Sequence, residues 1–175
     1  MTTGGRAFRR VARWTLVLVA LAAAATLVLR VVARRSGGPL GMIPGGRLVG
    51  PIAADQNPDW SFTERVRTIA VEVDPNDPLA VTTWVFTLDG ALYVAADFFN
   101  PFKQWPHRAL ADPRVRLRID GQIYERLAVR VTDPVLIERL RRAVADKYDV
   151  APDGLAARVP VWFFRMDPRS GDSRR

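Results

Sequence analysis

The sequence of 175 residues predicts a mainly β (α+β) fold, a small antiparallel barrel with flanking helices, preceded by one N-terminal apolar helix. Two Asp-Gly dipeptides, 89–90 and 120–121, each join two β-like segments and favour tight hairpins, because both central residues of such turns take positive φ. Residues 114–119 alternate arginine with Val, Leu and Ile, which indicates a sheet with one face toward water. An apolar run from Trp14 to Leu29 stands apart from this β pattern.

The N-terminal segment carries the basicity of the chain. Residues 1–35 hold seven arginines and no acid, which leaves 19 cations against 18 acids, a charge of +1, in the rest of a chain whose formal charge is +8. We therefore predict a basic flank over residues 1–13 and a transmembrane anchor over residues 14–35. Arg30 lies near the end of the anchor, where its side chain can reach lipid phosphates.

Two other interpretations of the apolar run are less favoured. A cleavable signal peptide would be cut after the alanines and would leave further apolar residues at the new N-terminus. A buried helix of a soluble protein would have a polar face, and residues 15–29 have none. The sequence thus predicts a single-pass protein of the cell membrane, with lipid as the partner of residues 14–35.

Charge and composition bear on membrane orientation and on disulfide, metal and nucleic-acid binding. Four arginines precede the run and three follow it, which favours a cytoplasmic N-terminus only slightly and leaves the side of the domain open. The chain has no cysteine, so it can form neither a disulfide nor a thiolate metal site. His107, the only histidine, has no metal-ligand spacing around it, and we expect no metal. Because the charge is confined to the anchor, we expect no nucleic acid as partner.

The rest of the chain divides into three parts. Residues 36–56 are predicted to be a tether, since positions 36–51 contain six glycines and three prolines. Extended, those 16 residues would reach about 50 Å from the bilayer. The barrel domain is predicted over residues 57–167, and the polar residues 168–175 are predicted to be disordered.

Within the domain the predicted order is helix, three strands, short helix, two strands, helix, strand. Pro58 suits the first turn of the first helix, and Asp133 with Pro134 suits the start of the last one. Pro160 is typical of an edge, so the last strand is expected at the edge of the sheet. The arginines at 114, 116 and 118 are expected to be an ordinary solvated face.

The connection between the third and fourth strands, residues 100–117, is rich in cations, aromatic residues and prolines. This connection and the order of elements resemble the split β-barrel of the pyridoxamine-phosphate-oxidase-like flavin-binding superfamily, and in particular its deazaflavin-dependent nitroreductase-like branch, over about residues 68–166. The branch has the motif W-Y-x-N-L-x-A-x-P-x-V at this place. Four positions match it: Trp105, Ala111, Pro113 and Val115. The tyrosine, asparagine and leucine of the motif are replaced by Pro106, Arg108 and Ala109, and its glycine-rich approach is absent.

The resemblance implies a six-stranded antiparallel split β-barrel that binds FMN or a deazaflavin. Lys103 and Arg108 would hold the phosphate near a helix start, where free N–H groups favour an anion. Strands two and three would supply a wall for the ring, and the next hairpin would meet its polar edge. The predicted cofactor-binding residues are Lys103, Trp105, Arg108, Trp84, Thr83, Ala96, Arg118 and Tyr124. The structural alternatives are that the two tryptophans belong to the core and that Lys103 is a solvated helix residue.

Two functions remain open at this stage. One is a membrane-anchored oxidoreductase that uses a flavin-type cofactor on a small or lipophilic substrate, with catalytic residues unassigned. The other is a non-catalytic binding or scaffold module that has lost the cofactor, which the motif departures favour. A homodimer is expected by analogy with the superfamily alone.

Overall fold

The described parts of the chain form a long N-terminal helix and a six-stranded barrel with three shorter helices around it. The computed structural model describes residues 4–35, 37–97, 103–150 and 160–169. In chain order the elements are α1 (Gly4–Arg35), a 3₁₀ helix (Trp60–Arg65), β1 (Thr68–Val73), β2 (Leu79–Leu88), β3 (Ala91–Asp97), α2 (Trp105–Ala111), β4 (Arg114–Ile119), β5 (Gln122–Arg130), α3 (Pro134–Tyr148) and β6 (Val161–Pro168). The order of elements predicted for the domain is confirmed.

The six strands close into one antiparallel barrel in the order β1-β2-β3-β6-β5-β4. Both predicted hairpins are present, with φ of 52° and 74° at Asp89 and Gly90 and of 47° and 80° at Asp120 and Gly121. The last strand differs from its prediction. β6 pairs with β3 on one side and β5 on the other, so it is not an edge, and Pro160 precedes it, where no ladder N–H is needed.

Apolar side chains fill the barrel interior, and a tryptophan closes each end. Val71, Leu117 and Phe164 are fully buried in it, as the alternation along the strands requires. Trp60 of the 3₁₀ helix lies in the core cluster with 4% of its surface exposed, and Trp105 of α2 has 2% exposed. The two short helices therefore act as lids on the two ends of the strands.

One outer face of the barrel is covered by α3. The Asp133 carboxylate accepts a hydrogen bond from the Val135 N–H at 3.0 Å, so the predicted cap is confirmed. Leu140 on the inner side of α3 is fully buried in a cluster with Phe86 of β2 and Phe163 of β6. This face is closed by apolar contacts.

The opposite outer face is covered by residues 37–53, where the sequence predicts a free tether. This segment contains neither helix nor strand, but it is packed on the barrel rather than extended. Gly45 exchanges two backbone hydrogen bonds with Ala80 of β2, at 2.8 and 2.9 Å, and Leu48 is 1% exposed. Glycines and prolines here fit the segment closely to the strands: a Cβ on Gly45 would lie 2.0 Å from the carbonyl oxygen of Gly38.

The helix α1 is 32 residues long. Over the residues that the structure describes, no helix has the length and the apolar stretch needed to cross a membrane. Its described large apolar side chains are nonetheless exposed, with 70% of Leu16, 61% of Leu21 and 64% of Leu27 open.

Candidate functional site

The predicted phosphate-binding connector closes the barrel end. Trp105 packs its ring 5.4 Å from that of Phe164 inside the barrel, and Ala96 is fully buried there. Both therefore contribute to a filled interior. The five residues before Lys103 lie outside the described part of the chain, and Lys103 itself is half-buried.

Arg108 turns away from the interior and holds α2 to the turn between β1 and β2. Its Nη1 lies 3.1 Å from the Asp77 carboxylate, 3.3 Å from that of Asp74 and 2.9 Å from the Asp77 carbonyl oxygen. Two carboxylates thus compensate the positive charge of Arg108, the side chain that the sequence predicts to bind a ligand phosphate.

The residues predicted to form the ring wall lie on opposite faces of the sheet. Thr83 points to the inner side of β2 and donates its hydroxyl to the Ala95 carbonyl at 2.8 Å. Trp84 points outward, is 40% exposed, and stacks on Tyr148 of α3 with ring centroids 4.5 Å apart. Successive strand residues alternate sides, so these two cannot line one pocket with Ala96.

Arg118 and Tyr124 are separated in the same way. Arg118 is on the outer face, where its Nη1 donates to the carbonyl oxygens of Gly37 at 2.7 Å and Val49 at 3.3 Å. Tyr124 is 8% exposed, with its ring edge-on to Trp60 at 5.1 Å, and burial raises the pKa of its hydroxyl. The eight predicted residues are therefore not brought together in the described part of the chain.

The structure instead forms a groove on the outer face, at the edge of the 37–53 segment. Its volume is about 540 Å³, and we call it the basic groove. Four arginines against two glutamates give it two more positive charges than negative ones. Its lining comprises Arg47, Leu48, Val49, Gly50, Glu72, Val73, Pro75, Arg114, Arg116, Glu125 and Arg169.

A chain of alternating charges crosses the floor of the basic groove. Glu72 on β1 has 3% of its side chain exposed; it accepts from the Leu48 N–H at 2.6 Å and lies 3.2 Å from Arg116. Arg116 approaches Glu125 of β5 at 3.9 Å, and Glu125 lies 3.4 Å from Arg169. Each of these two arginines is therefore held by carboxylates, and both serve to shape the groove.

The other two arginines of the basic groove are exposed, and of these Arg114 is paired with a carboxylate. Arg47 is exposed, and among the described residues its hydrogen bond goes to a carbonyl oxygen, that of Pro75, at 2.9 Å. Arg114 contacts Asp112 through its Nε and Nη2. These hydrogen bonds lower the pKa of the Asp112 carboxyl to about 2. Exposed guanidinium groups at the rim of a groove are suited to a phosphate or carboxylate.

Sequence reasoning misses most of this groove, for two reasons. Arg47 lies in a stretch whose glycines and prolines are typical of a linker, and Arg169 lies in the predicted disordered tail. Arg169 instead donates to the carbonyl oxygens of Val115 at 3.0 Å and Arg126 at 3.3 Å; residues 170–175 lie outside the described part. Arg114 and Arg116 are the signals visible in the sequence, because both belong to the predicted outward arginines.

Two further charged side chains, one buried and one partly buried, lie away from the groove. Arg126 of β5 is 0% exposed, with its guanidinium carbon 4.7 Å from the Trp60 ring centroid. Lys147, at the end of α3, donates to the carbonyl oxygens of Thr63 and Val85, and burial lowers its pKa. Over the described residues, no cluster of three or more histidine, aspartate or glutamate side chains could hold a metal.

Comparison with known proteins identifies the fold. No family model and no curated protein matches the chain. Among solved structures, HutZ, a heme storage protein from Vibrio cholerae, matches with a TM-score of 0.51 and 14% identity, over 63% of this chain and 87% of HutZ. A putative pyridoxamine 5'-phosphate oxidase from Listeria innocua matches with a TM-score of 0.46 and 15% identity, over 62% and 89%. A conserved hypothetical protein from Mycobacterium tuberculosis matches with a TM-score of 0.49 and 18% identity, over 62% of this chain and 76% of that protein.

The likeness to HutZ covers most of that protein at low sequence identity, so it shows the fold alone. It agrees with the closed six-stranded order and the flanking helices described above. The domain therefore has the split β-barrel fold that the sequence predicts.

Proposed function

We propose that this protein is a membrane-anchored split-barrel protein that binds the phosphate of a flavin-type cofactor, FMN or a deazaflavin, in the basic groove. The observation that carries the proposal is the groove itself, a hollow of about 540 Å³ with an excess of arginine on a barrel of this fold. Arginine is the residue best suited to phosphate, because its planar fork of donors matches the oxygens.

Separate residues of the groove would serve the two parts of such a cofactor. Arg47 and Arg114, which are exposed at the groove, would bind the anionic tail. Val49, which is 69% exposed, supplies apolar surface against which a flat ring can rest. The cofactor, when bound, would supply hydride chemistry, and the chain would supply binding and orientation. The substrate would be a small or lipophilic molecule.

The proposed anchor is residues 14–35 of α1. Its support is the unbroken apolar run from Trp14 to Leu29 in the sequence and the exposure of the described apolar side chains, which require an apolar surrounding. The Thr26 hydroxyl donates to the Ala22 carbonyl at 2.8 Å, so this polar group is satisfied within the helix and needs no water. The anchor makes the protein single-pass in the cell membrane.

Titration with FMN and with a deazaflavin tests the cofactor proposal. Full-length protein in lipid nanodiscs should quench flavin fluorescence saturably, and Arg47→Gln should weaken binding by at least about tenfold, or about 1.4 kcal/mol. Arg139→Gln is the matched control, because Arg139 is an exposed arginine on α3 that pairs with Asp89. If folded protein binds neither cofactor, the proposal is wrong.

A second candidate is a non-catalytic binding or scaffold module. The filled interior around Trp105 and Ala96 and the pairing of Arg108 with Asp74 and Asp77 favour it. In that case the basic groove would still bind small anions, but it would bind neither FMN nor a deazaflavin. Saturable binding of FMN or a deazaflavin, with reduction and reoxidation of the bound cofactor followed by absorbance, separates the two candidates.

A further inference from the structure

The helix α1 and the barrel are joined by a very short connection. Gly37 is fixed to the barrel, since its carbonyl oxygen accepts from Arg118 Nη1 at 2.7 Å and from the Val49 N–H at 3.1 Å. Only residue 36 separates it from Arg35, the last residue of α1. Two Cα–Cα steps span less than about 8 Å. A barrel anchored through α1 must therefore sit close to the bilayer surface.

The segment that follows this junction carries exposed apolar side chains. The 37–53 segment carries Leu40, Met42, Val49 and Ile52, which are 43%, 100%, 69% and 61% exposed. Val49 lies beside the junction, because its N–H donates to Gly37. Each of these side chains would be placed in water if the face were free, which is unfavourable for so many on one short segment.

The turn that presents Met42 has its own backbone hydrogen bonds. Leu40 and Ile43 exchange two of them, at 3.1 and 3.0 Å, and the Thr82 hydroxyl donates to the Gly41 carbonyl at 2.8 Å. The turn can therefore enter a layer with little water without leaving these groups unpaired. Gly41, with φ of 60°, is suited to the left-handed position that closes the turn.

An exposed tryptophan and an exposed arginine extend the same surface. Trp84 follows Thr82 by two residues on the outer face of β2, and one of its ring faces stacks on Tyr148 while the side chain is 40% exposed. Tryptophan is enriched where protein meets the lipid headgroups. Arg47, at the rim of the basic groove and on the same segment, is exposed and adds positive charge for anionic headgroups.

We infer that the face formed by the 37–53 segment and Trp84 docks on a bilayer that contains anionic lipid, with Leu40 and Met42 in the headgroup layer. The inference rests on the anchor in the proposed function. It assigns the barrel a fixed orientation, in which the basic groove opens at the edge of the bilayer. A lipophilic substrate could then reach the groove from the membrane without crossing bulk water.

Single-cysteine labelling tests this orientation, because the chain has no native cysteine and each label is unique. Full-length protein carrying Met42→Cys is labelled with an environment-sensitive fluorophore in nanodiscs of zwitterionic and anionic lipid. We expect blue-shifted emission and quenching by a nitroxide attached near the lipid glycerol. Val135→Cys is the matched control, since Val135 is a 69% exposed apolar residue at the far end of α3 from Tyr148, and its label should stay in water.

A third label separates the docking from the anchor. Trp14→Cys reports whether α1 is inserted. A membrane-embedded label at position 14 with a water-exposed label at position 42 would overturn the docking and leave the anchor standing. A water-exposed label at position 14 would overturn the anchor and the docking with it. Embedding at positions 14 and 42 but not 135 is the result expected.

Discussion

The two outer faces of the barrel are covered by different chemistry. On the α3 face, Leu140 packs on Phe86 and Phe163 in a dry apolar contact. On the face under residues 37–53, backbone and charged hydrogen bonds dominate, and a groove remains open. Apolar contact is strongest when no space is left, whereas a polar cover can leave space for an anion. The α3 face is thus closed by packing, whereas the opposite face keeps the groove in which we propose that a ligand binds.

The largest effect is expected on the α3 face. Leu140→Ala removes a fully buried side chain and should lower the free energy of unfolding by about 2–5 kcal/mol. Val135→Ala on the exposed side of the same helix should change it by less than about 0.5 kcal/mol. Denaturant unfolding in mild detergent measures both. Equal effects of the two would show that α3 is not the apolar cover described here.

A smaller effect should follow from breaking the charged face. Arg116→Met leaves the Glu72 carboxylate, 3% exposed, with the Leu48 N–H as partner, and should cost about 2–3 kcal/mol. Adding Glu72→Gln removes the stranded charge and should restore part of the loss. A double variant as unstable as the sum of the two single variants would contradict a direct coupling between them.

The contact between α3 and β2 allows a finer test. The Tyr148 hydroxyl accepts from the Val85 N–H at 3.0 Å and lies 2.6 Å from the Val85 carbonyl oxygen. Tyr148→Phe keeps the stacking on Trp84 and should cost about 1–2 kcal/mol for the unpaired buried groups. Thermal unfolding measures the loss, and a variant as stable as the wild type would count against a structural role for this hydroxyl.

The smallest effect concerns the rim of the basic groove. The pKa of Asp112 is lowered from 3.8 to about 2, chiefly by its hydrogen bonds with Arg114. The ionised carboxylate therefore contributes to the free energy of unfolding above about pH 4, and this contribution is lost as pH falls toward 2. Both partners are partly exposed, so solvent screening keeps the contribution below about 1 kcal/mol. Denaturant unfolding between pH 2 and 5 should show a free energy of unfolding that depends less on pH in Asp112→Asn than in the wild type. The same pH dependence in the variant and the wild type would contradict a stabilising contact between Asp112 and Arg114.

The sequence predicts the elements well and the site poorly, for a physical reason. The hairpins at Asp89-Gly90 and Asp120-Gly121 and the cap at Asp133 depend on neighbours a few residues away, so local patterns reveal them. The cover formed by residues 37–53 depends on pairs such as Gly45 with Ala80, and the groove is lined by residues as distant in the sequence as Arg47 and Arg169. No local pattern marks such pairs.

The same distinction explains the predicted site residues. Strand alternation sends Thr83 inward and Trp84 outward, and it separates Arg118 from Tyr124, although the members of each pair are close in the sequence. Arg108 meets Asp74 and Asp77, acids about 30 positions earlier in the chain. A motif read along the chain does not contain this information.

A crystal structure of the protein with FMN bound tests the central claim most directly, because the sequence motif and the basic groove predict different phosphate positions. The account predicts the phosphate within hydrogen-bonding distance of the Arg47 or Arg114 guanidinium in the basic groove. A phosphate bound instead beside Lys103 at the start of α2, or no bound cofactor under saturating FMN, would contradict it.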